Sequence, residues 1–352
     1  MRNSFLYFGL LSLFTILFFS KSSHQADPPC TPNPRLQSAF KAIQEWKKLI
    51  TADPKNFTSN WNGPDVCNYN GVFCAPAPDN PHIDTVASID LNEQNIAGAL
   101  PDELGLLTDL AIFHINSNHF SGVIPESFAK LHLLYELDIS NNLFAGKFPK
   151  VVLSMPALKY LDIRFNNFEG SVPSKLFDME LDAIFINDNN FQFSMPANFA
   201  NSTASAIVLA NNHIDGCLPS NIEKMAGTLN EMIVSNNGLS SCLPPEIGKL
   251  VNLTVLDVGF NSLVGPLPKT MGNLKNLEIL NVAHNELSGD IPPTICSLRH
   301  LETFTYSNNK FGGEPQNCSN LNKKGNRENR IPNMPPQRPD KRLSLFHSQA
   351  PV

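Results

Sequence analysis

Nine histidines are scattered along the chain without a His-Glu-X-X-His arrangement, and seven cysteines occur without a close Cys-X-X-Cys pair. The spacings that hold catalytic or structural zinc are therefore missing. No glycine-rich phosphate loop is present either, since the glycines fall at fixed places in a repeat. After residue 20 there is no further long apolar run, and Ser344 to Val352 lacks the apolar tail of a lipid-anchor signal. These absences predict a protein with no metal, no cofactor, no internal membrane span and no catalytic centre.

What is present begins with Arg2 and an uncharged stretch from Phe5 to Ser20, followed by small and polar residues up to Ala26. A spanning helix needs about 20 apolar residues, so residues 1–26 read as a cleaved signal peptide, with an N-terminal anchor as the alternative. All seven cysteines follow it, and in an oxidising compartment they read as disulfides. The Asn-X-Ser/Thr sequons at Asn56, Asn201, Asn252 and Asn317 agree with secretion. The net charge of −6 conceals a division: residues 1–26 carry +2, residues 319–352 carry +5, and residues 27–318 therefore carry −13. So acidic a body excludes nucleic acid as a partner and favours a basic one.

Self-similarity gives the architecture. The frame Leu137-Asp-Ile-Ser-Asn-Asn142-Leu-Phe-Ala-Gly146-Lys-Phe-Pro149 recurs about anchors Asn118, Asn166, Asn189, Asn212, Asn237, Asn261, Asn285 and Asn309, spaced 23 to 25 residues apart, with Gln94 in the first slot. Apolar residues alternate before each anchor, which predicts a short strand with one buried face. The anchor amide can satisfy backbone groups where the chain leaves the strand. Two residues on, Phe120, Phe144, Phe168, Phe191, Leu239, Leu263, Leu287 and Phe311 form a spine, and Gly and Pro at four and seven residues past the anchor turn the chain. The expected fold is an α/β solenoid: a right-handed leucine-rich-repeat coil of about ten 24-residue turns with a parallel concave sheet. Strands about 4.8 Å apart make it roughly 45 Å long.

Leu36, Phe40, Ile43, Trp46 and Ile50 recur at helical spacing and predict a cap helix over the first turn. The domains are then a signal peptide (1–26), a capping region (27–85), the repeats (86–318) and a basic, proline-containing disordered tail (319–352). Cys67 and Cys74 close a short loop. Cys217 and Cys242, each two residues before the repeat proline in adjacent turns, are expected to bridge. Cys296 and Cys318 staple the far end, and Cys30 is left free or links two chains as a homodimer.

Strand side chains pointing away from the core line the concave face. Four residues before each anchor the row reads Asp90, His114, Asp138, Asp162, Phe185, Val208, Ile233, Asp257, Asn281 and Thr305; six before, it includes Glu136, Tyr160 and Glu231; one before, Phe165 and Phe260. Carboxylates flank an apolar centre, a pattern suited to a folded basic peptide with apolar anchors. Alternatives are acids that serve solubility alone, an Arg164 that pairs with Asp138 or Asp162, and a metal or proton site at His114 and His119. A paired-carboxylate site at Asp138 and Asp162 is disfavoured because no pocket closes over an open sheet.

The stretch Cys67-Asn-Tyr-Asn-Gly-Val-Phe-Cys-Ala-Pro-Ala-Pro-Asp79 resembles plant leucine-rich repeat extensins. So do Leu104-Gly-Leu-Leu-Thr-Asp-Leu110, Phe148-Pro-Lys-Val-Val-Leu153, Leu181-Asp-Ala-Ile-Phe-Ile-Asn187, Val208-Leu-Ala-Asn-Asn212, Asn281-Val-Ala-His-Asn285 and Phe304-Thr-Tyr-Ser-Asn308. The resemblance runs from about Asn33 to Glu314. It implies an extracellular, non-enzymatic cell-wall protein whose repeats bind cysteine-rich signalling peptides of the rapid alkalinization factor type. The family's proline-rich tail and cysteine-bearing hinge have no counterpart here; only Met334-Pro-Pro-Gln-Arg-Pro-Asp340 follows. Contact of the basic tail with acidic pectin is a further reading. The rivals are an inhibitor of a wall-degrading enzyme, of the polygalacturonase-inhibiting type, and a soluble receptor-like ectodomain that pairs with a kinase.

Overall fold

Asn33 opens the first element by accepting hydrogen bonds on its side-chain oxygen from the N–H groups of Arg35 (3.0 Å) and Leu36 (3.4 Å). This N-cap starts helix Pro34–Leu49, which buries Ala39, Ala42, Ile43 and Trp46. The computed structural model describes residues 33–321 and 323–331. The signal segment, Cys30 and most of the basic tail lie outside those residues.

The helix closes the first turn as its spacing predicts. The Trp46 ring lies 5.6 to 5.7 Å from those of Trp61, Phe113 and Phe120. Arg35 ties helix to coil through Asp79 and Asp109, both at 2.6 Å. The Cys67–Cys74 disulfide forms, with Cα atoms 5.4 Å apart. Beyond it Val72–Ala77 pairs antiparallel with Asn80–Asp90, which in turn starts the parallel sheet. Ile50–Ala52 covers the other sheet in the same antiparallel way, at Ala97–Gly98. At this end the parallel ladder of each sheet is thus covered by one antiparallel strand.

The repeats build two sheets around one core, of twelve and eleven strands among the described residues. In the twelve-stranded, concave sheet each strand is three residues long in the repeats, as in Glu136–Asp138, Tyr160–Asp162 and Ala183–Phe185. Its middle residue, such as Leu137, Leu161 or Ile184, is fully buried. The phenylalanine spine stacks behind it: Phe144 on Phe168 at 6.4 Å, and Phe168 on Phe191 at 6.2 Å, both nearly parallel. After the repeat proline a short 3-10 segment returns the chain, as at Glu126–Lys130.

Each anchor asparagine is a four-bond junction. Asn166 donates from Nδ2 to the carbonyls of Ile139 (3.0 Å), Ile163 (3.2 Å) and Arg164 (3.1 Å), and its Oδ1 accepts from Phe144 N–H (3.0 Å). Asn118, Asn142, Asn189, Asn212, Asn237, Asn261, Asn285 and Asn309 repeat the pattern.

Two expectations are corrected. Cys296–Cys318 forms with Cα atoms 4.9 Å apart, but Cys217 and Cys242 are both free and exposed. In the concave sheet equivalent repeat positions face each other, as Phe185 faces Val208. In the eleven-stranded sheet each strand is slipped by two residues: Phe168 lies opposite Gly146, not Phe144, and Gly216 lies opposite Leu239. Cys242 is therefore about 8 Å along a diagonal from Cys217, beyond the Cα separation a disulfide tolerates. Its sulfur lies toward the next turn instead, 2.9 Å from where a Cβ on Gly265 would stand.

The second correction concerns the far end. Residues 323–331 continue the coil rather than join a disordered tail. Lys323–Gly325 pairs with Thr303–Thr305, and Asn329 is an eleventh anchor, bonding to the carbonyls of Tyr306, Asn326 and Arg327. The turn escapes notice in the sequence because Lys324 and Asn326 stand where other turns place apolar core residues. Glu314 meets them in a polar cluster: Lys324 Nζ at 2.7 Å, Tyr306 hydroxyl at 2.6 Å and Asn326 at 3.3 Å. Burial works to raise the Glu314 carboxyl, but these donors outweigh it and hold it below its ordinary value. The cluster closes the core with charge that a further stacked turn would have to bury.

Asn166→Ala should lose at least about 3 kcal/mol in urea unfolding, because it leaves several buried backbone groups unpaired. Alkylation of the native protein followed by peptide mapping should label Cys217 and Cys242 and spare Cys67, Cys74, Cys296 and Cys318. Protection of Cys217 together with Cys242 would restore the bridge rejected above.

Candidate functional site

Strand register assembles the predicted row into one line across eight turns. Asp90, His114, Asp138, Asp162, Phe185, Val208, Ile233 and Asp257 are successive Cα partners. Glu136 and Tyr160 are partners in the adjacent row. Half-buried Phe185, Val208 and Ile233, with Ala183 and Ala206 beside them, make the apolar centre. Asp257 and exposed Glu231 lie on one side of it, and the Asp138–Asp162 group on the other.

The acids do more than face solvent. Asp90, Asp138, Asp162 and Asp257 each accept the N–H of the residue two positions on, at 2.9 to 3.1 Å, and Asn281 does the same at 3.0 Å. These side chains thus finish the strand by an Asx turn. The row therefore serves the scaffold as well as the concave surface.

Asp138 and Asp162 are the crowded pair. Asp138 is 9% exposed and takes Ser140 N–H (3.0 Å), Ser140 Oγ (2.7 Å) and Asn116 Nδ2 (2.9 Å). Asp162 is fully buried. Its partners are Arg164 Nε at 3.0 Å, the Arg164 N–H at 3.1 Å and the Tyr160 hydroxyl at 3.4 Å. Arg164 in turn stands over the Phe185 ring, 5.2 Å from its centre, and Tyr160 packs on the same ring at 5.5 Å. Burial first, then the Asp138 charge, push the Asp162 carboxyl up to about 7 against the pull of Arg164. Burial and the same two carboxylates push the Tyr160 hydroxyl up to about 12.

His114 pairs with Glu136 at 3.0 Å on this face, whereas His119 lies on the opposite sheet. The two histidines do not form a site. Among the described residues no helix is long and apolar enough to cross a membrane.

The folded chain holds a proton on Asp162 that the unfolded chain has already lost above its ordinary value of 3.8. Stability should therefore fall as pH rises from about 4 to about 7, by a few kcal/mol at most. Urea titrations across that range should show the slope, and Asp162→Asn should flatten it.

The comparisons fit this geometry. The family description "Leucine rich repeat N-terminal domain" matches residues 36–75, and "Leucine rich repeat" matches 108–168, 252–274 and 276–298. Leucine-rich repeat extensin-like protein 2 of Arabidopsis thaliana is 56% identical over 229 residues, covering 65% of this chain and 29% of that protein. Leucine-rich repeat extensin-like protein 6 of the same plant is 68% identical over 92 residues, covering 26% of this chain and 19% of that one. The chain thus spans less than a third of either relative. Among solved structures, the Arabidopsis receptor kinase HAESA, in complex with the peptide hormone IDA and the co-receptor SERK1, is 28% identical. It covers 83% of this chain and 50% of its own, with a TM-score of 0.72. A TDR receptor is 31% identical over 70% of this chain and 44% of its own, with a TM-score of 0.66. From its cap helix through its repeats, the chain belongs to the leucine-rich repeat extensin-like family.

Proposed function

We propose that this protein works outside the cell, in the wall, as a binding protein whose concave face takes up basic, cysteine-rich peptides of the rapid alkalinization factor type. One observation carries the reading: a half-exposed apolar strip, Phe185, Val208 and Ile233, lies between carboxylates on a face without a covering segment among the described residues. Apolar anchors supply affinity in such interfaces, while charge complementarity steers a cationic partner and selects against acidic ones. A net charge of −13 over residues 27–318 favours the same class of ligand.

The relatives support binding rather than chemistry. HAESA is described with a peptide hormone, and so is the plant receptor RGFR1, in complex with RGF2. The glycan sequons agree with an extracellular role and leave the face open: exposed Asn56 and Asn201 and half-buried Asn252 and Asn317 all lie off the concave strands. Cys30, on which a linked dimer depends, and the tail beyond residue 331 lie outside the described residues.

Calorimetric titration against a panel of basic disulfide-bonded peptides should find a binder whose affinity falls about tenfold with Phe185→Ala. Ile233→Glu should cost at least as much, and raising the salt from 0.05 to 0.5 M should weaken binding. Equal affinity in all three conditions would remove the concave face from the interaction.

A further inference from the structure

The residue before each anchor takes a left-handed backbone: Ser117, Asn141, Asp188, Asn211, Asn236, His284 and Asn308 all have φ between 51° and 57°. Asn, Asp, Ser and His tolerate that conformation at modest cost. Phe260 occupies the same slot at φ 53°, its ring stacked on His284, and Phe165 does so at φ 51°; each leaves 49% of its surface exposed. A bulky aromatic gains nothing there for the scaffold, since its ring is not in the core.

The Phe165 ring lines a depression of about 350 Å³ on the rim of the concave face, together with Asn116, Asp138, Ser140 and Arg164. Asp138 is the anion of this depression. It is more than nine-tenths buried, its three hydrogen bonds come from neutral donors, and no cation among the described residues forms a salt bridge with it, Arg164 being engaged by Asp162. One turn further along, the protein itself sets an arginine between a buried carboxylate and a ring, the ring coming from the strand row rather than from the slot before the anchor. There an arginine, Arg164, bonds to a buried carboxylate and stands over an aromatic ring of the next turn, Phe185. At the corresponding place in the Asp138 turn the chain has Ser140, and the arginine is missing.

We propose that the depression between Asp138 and Phe165 is a subsite for an arginine side chain of the bound peptide. Guanidinium fits both walls, donating to the carboxylate from its edge and stacking its face on the ring. This rests on the peptide-binding reading and adds to it a definite contact outside the apolar strip. Burial first, and then the Asp138 charge, raise the proton affinity of neighbouring Asp162, which agrees with an unneutralised carboxylate at Asp138.

The test uses acetyl-Gly-Arg-Gly-amide and its neutral citrulline counterpart, titrated by NMR at low salt into the full chain. The wild type should prefer the arginine peptide by about fivefold or more, with shifts centred on residues around Phe165. Phe165→Asn should bring the two peptides within twofold while raising the thermal midpoint, because asparagine suits the left-handed slot. That combination separates a ligand contact from a structural one. Ser140→Arg should abolish the preference by filling the subsite from within. No preference in the wild type, or a preference untouched by Phe165→Asn, overturns the subsite. If cysteine-rich peptides then still bind and still respond to Phe185→Ala, only the subsite has failed. If the arginine preference behaves as described while no peptide of the panel binds, the subsite stands and the choice of peptide class fails.

Discussion

The whole coil depends on how one amide satisfies buried backbone groups between turns. Leaving the strand, the chain presents carbonyls to the interior that no helix or sheet can take. Asn166 bonds two of its own turn and one of the turn before, then accepts Phe144 N–H with its oxygen. This last bond sets geometry as well as energy. It places the second residue past one anchor opposite the next anchor itself, so the strands that follow are slipped by two residues, as Ser121 opposite Leu143 shows. Concave strands stay in step while those behind them advance. Aspartate in the same slot would lose the donors, and alanine would lose everything.

That slip explains why cysteines at matching repeat positions fail to meet at Cys217 and Cys242. Stacking by such bonds also has no natural end, so the termini need different chemistry. At the start, an aromatic cluster around Trp46 and two antiparallel strands cover core and edges together. At the finish, Asn329 keeps the ladder while Lys324, Asn326 and Glu314 replace the apolar residues that a further turn would need. The first turn is thus covered by aromatic side chains, whereas the last described turn carries a polar cluster in the place of apolar core residues.

How much of this was legible follows from which features repeat. Anchors, spine and strand faces recur ten times, so Asn142 or Phe168 could be placed from spacing alone. The cap helix was legible because Trp46 and its neighbours keep helical period. The eleventh turn was hidden because Lys324 breaks the apolar pattern while Asn329 keeps the anchor. The Cys217–Cys242 pairing failed because spacing along a chain carries no information on slip between turns. On the concave face the row from Asp90 to Asp257 was found, but its hydrogen bonds to backbone N–H groups were not, since they depend on backbone dihedrals after the strand. Phe165 stood out in the sequence only as an apolar residue in the row, and its left-handed φ needed coordinates.

The scaffold role of the acidic row sharpens the case for function instead of removing it. Ending the strand requires one oxygen acceptor, and Asn281 supplies it at the same distance as the aspartates. Neutral asparagine would therefore serve at every turn. The chain uses aspartate at positions 90, 138, 162 and 257, and sets two of them on adjacent strands, where like charges repel. Burial makes that repulsion costly enough for one of the pair to hold a proton near neutral pH. Backbone capping accounts for the oxygen at these positions but not for the charge. A cation arriving from outside accounts for the charge, and Phe165, strained and exposed beside Asp138, gives that cation a surface to rest on.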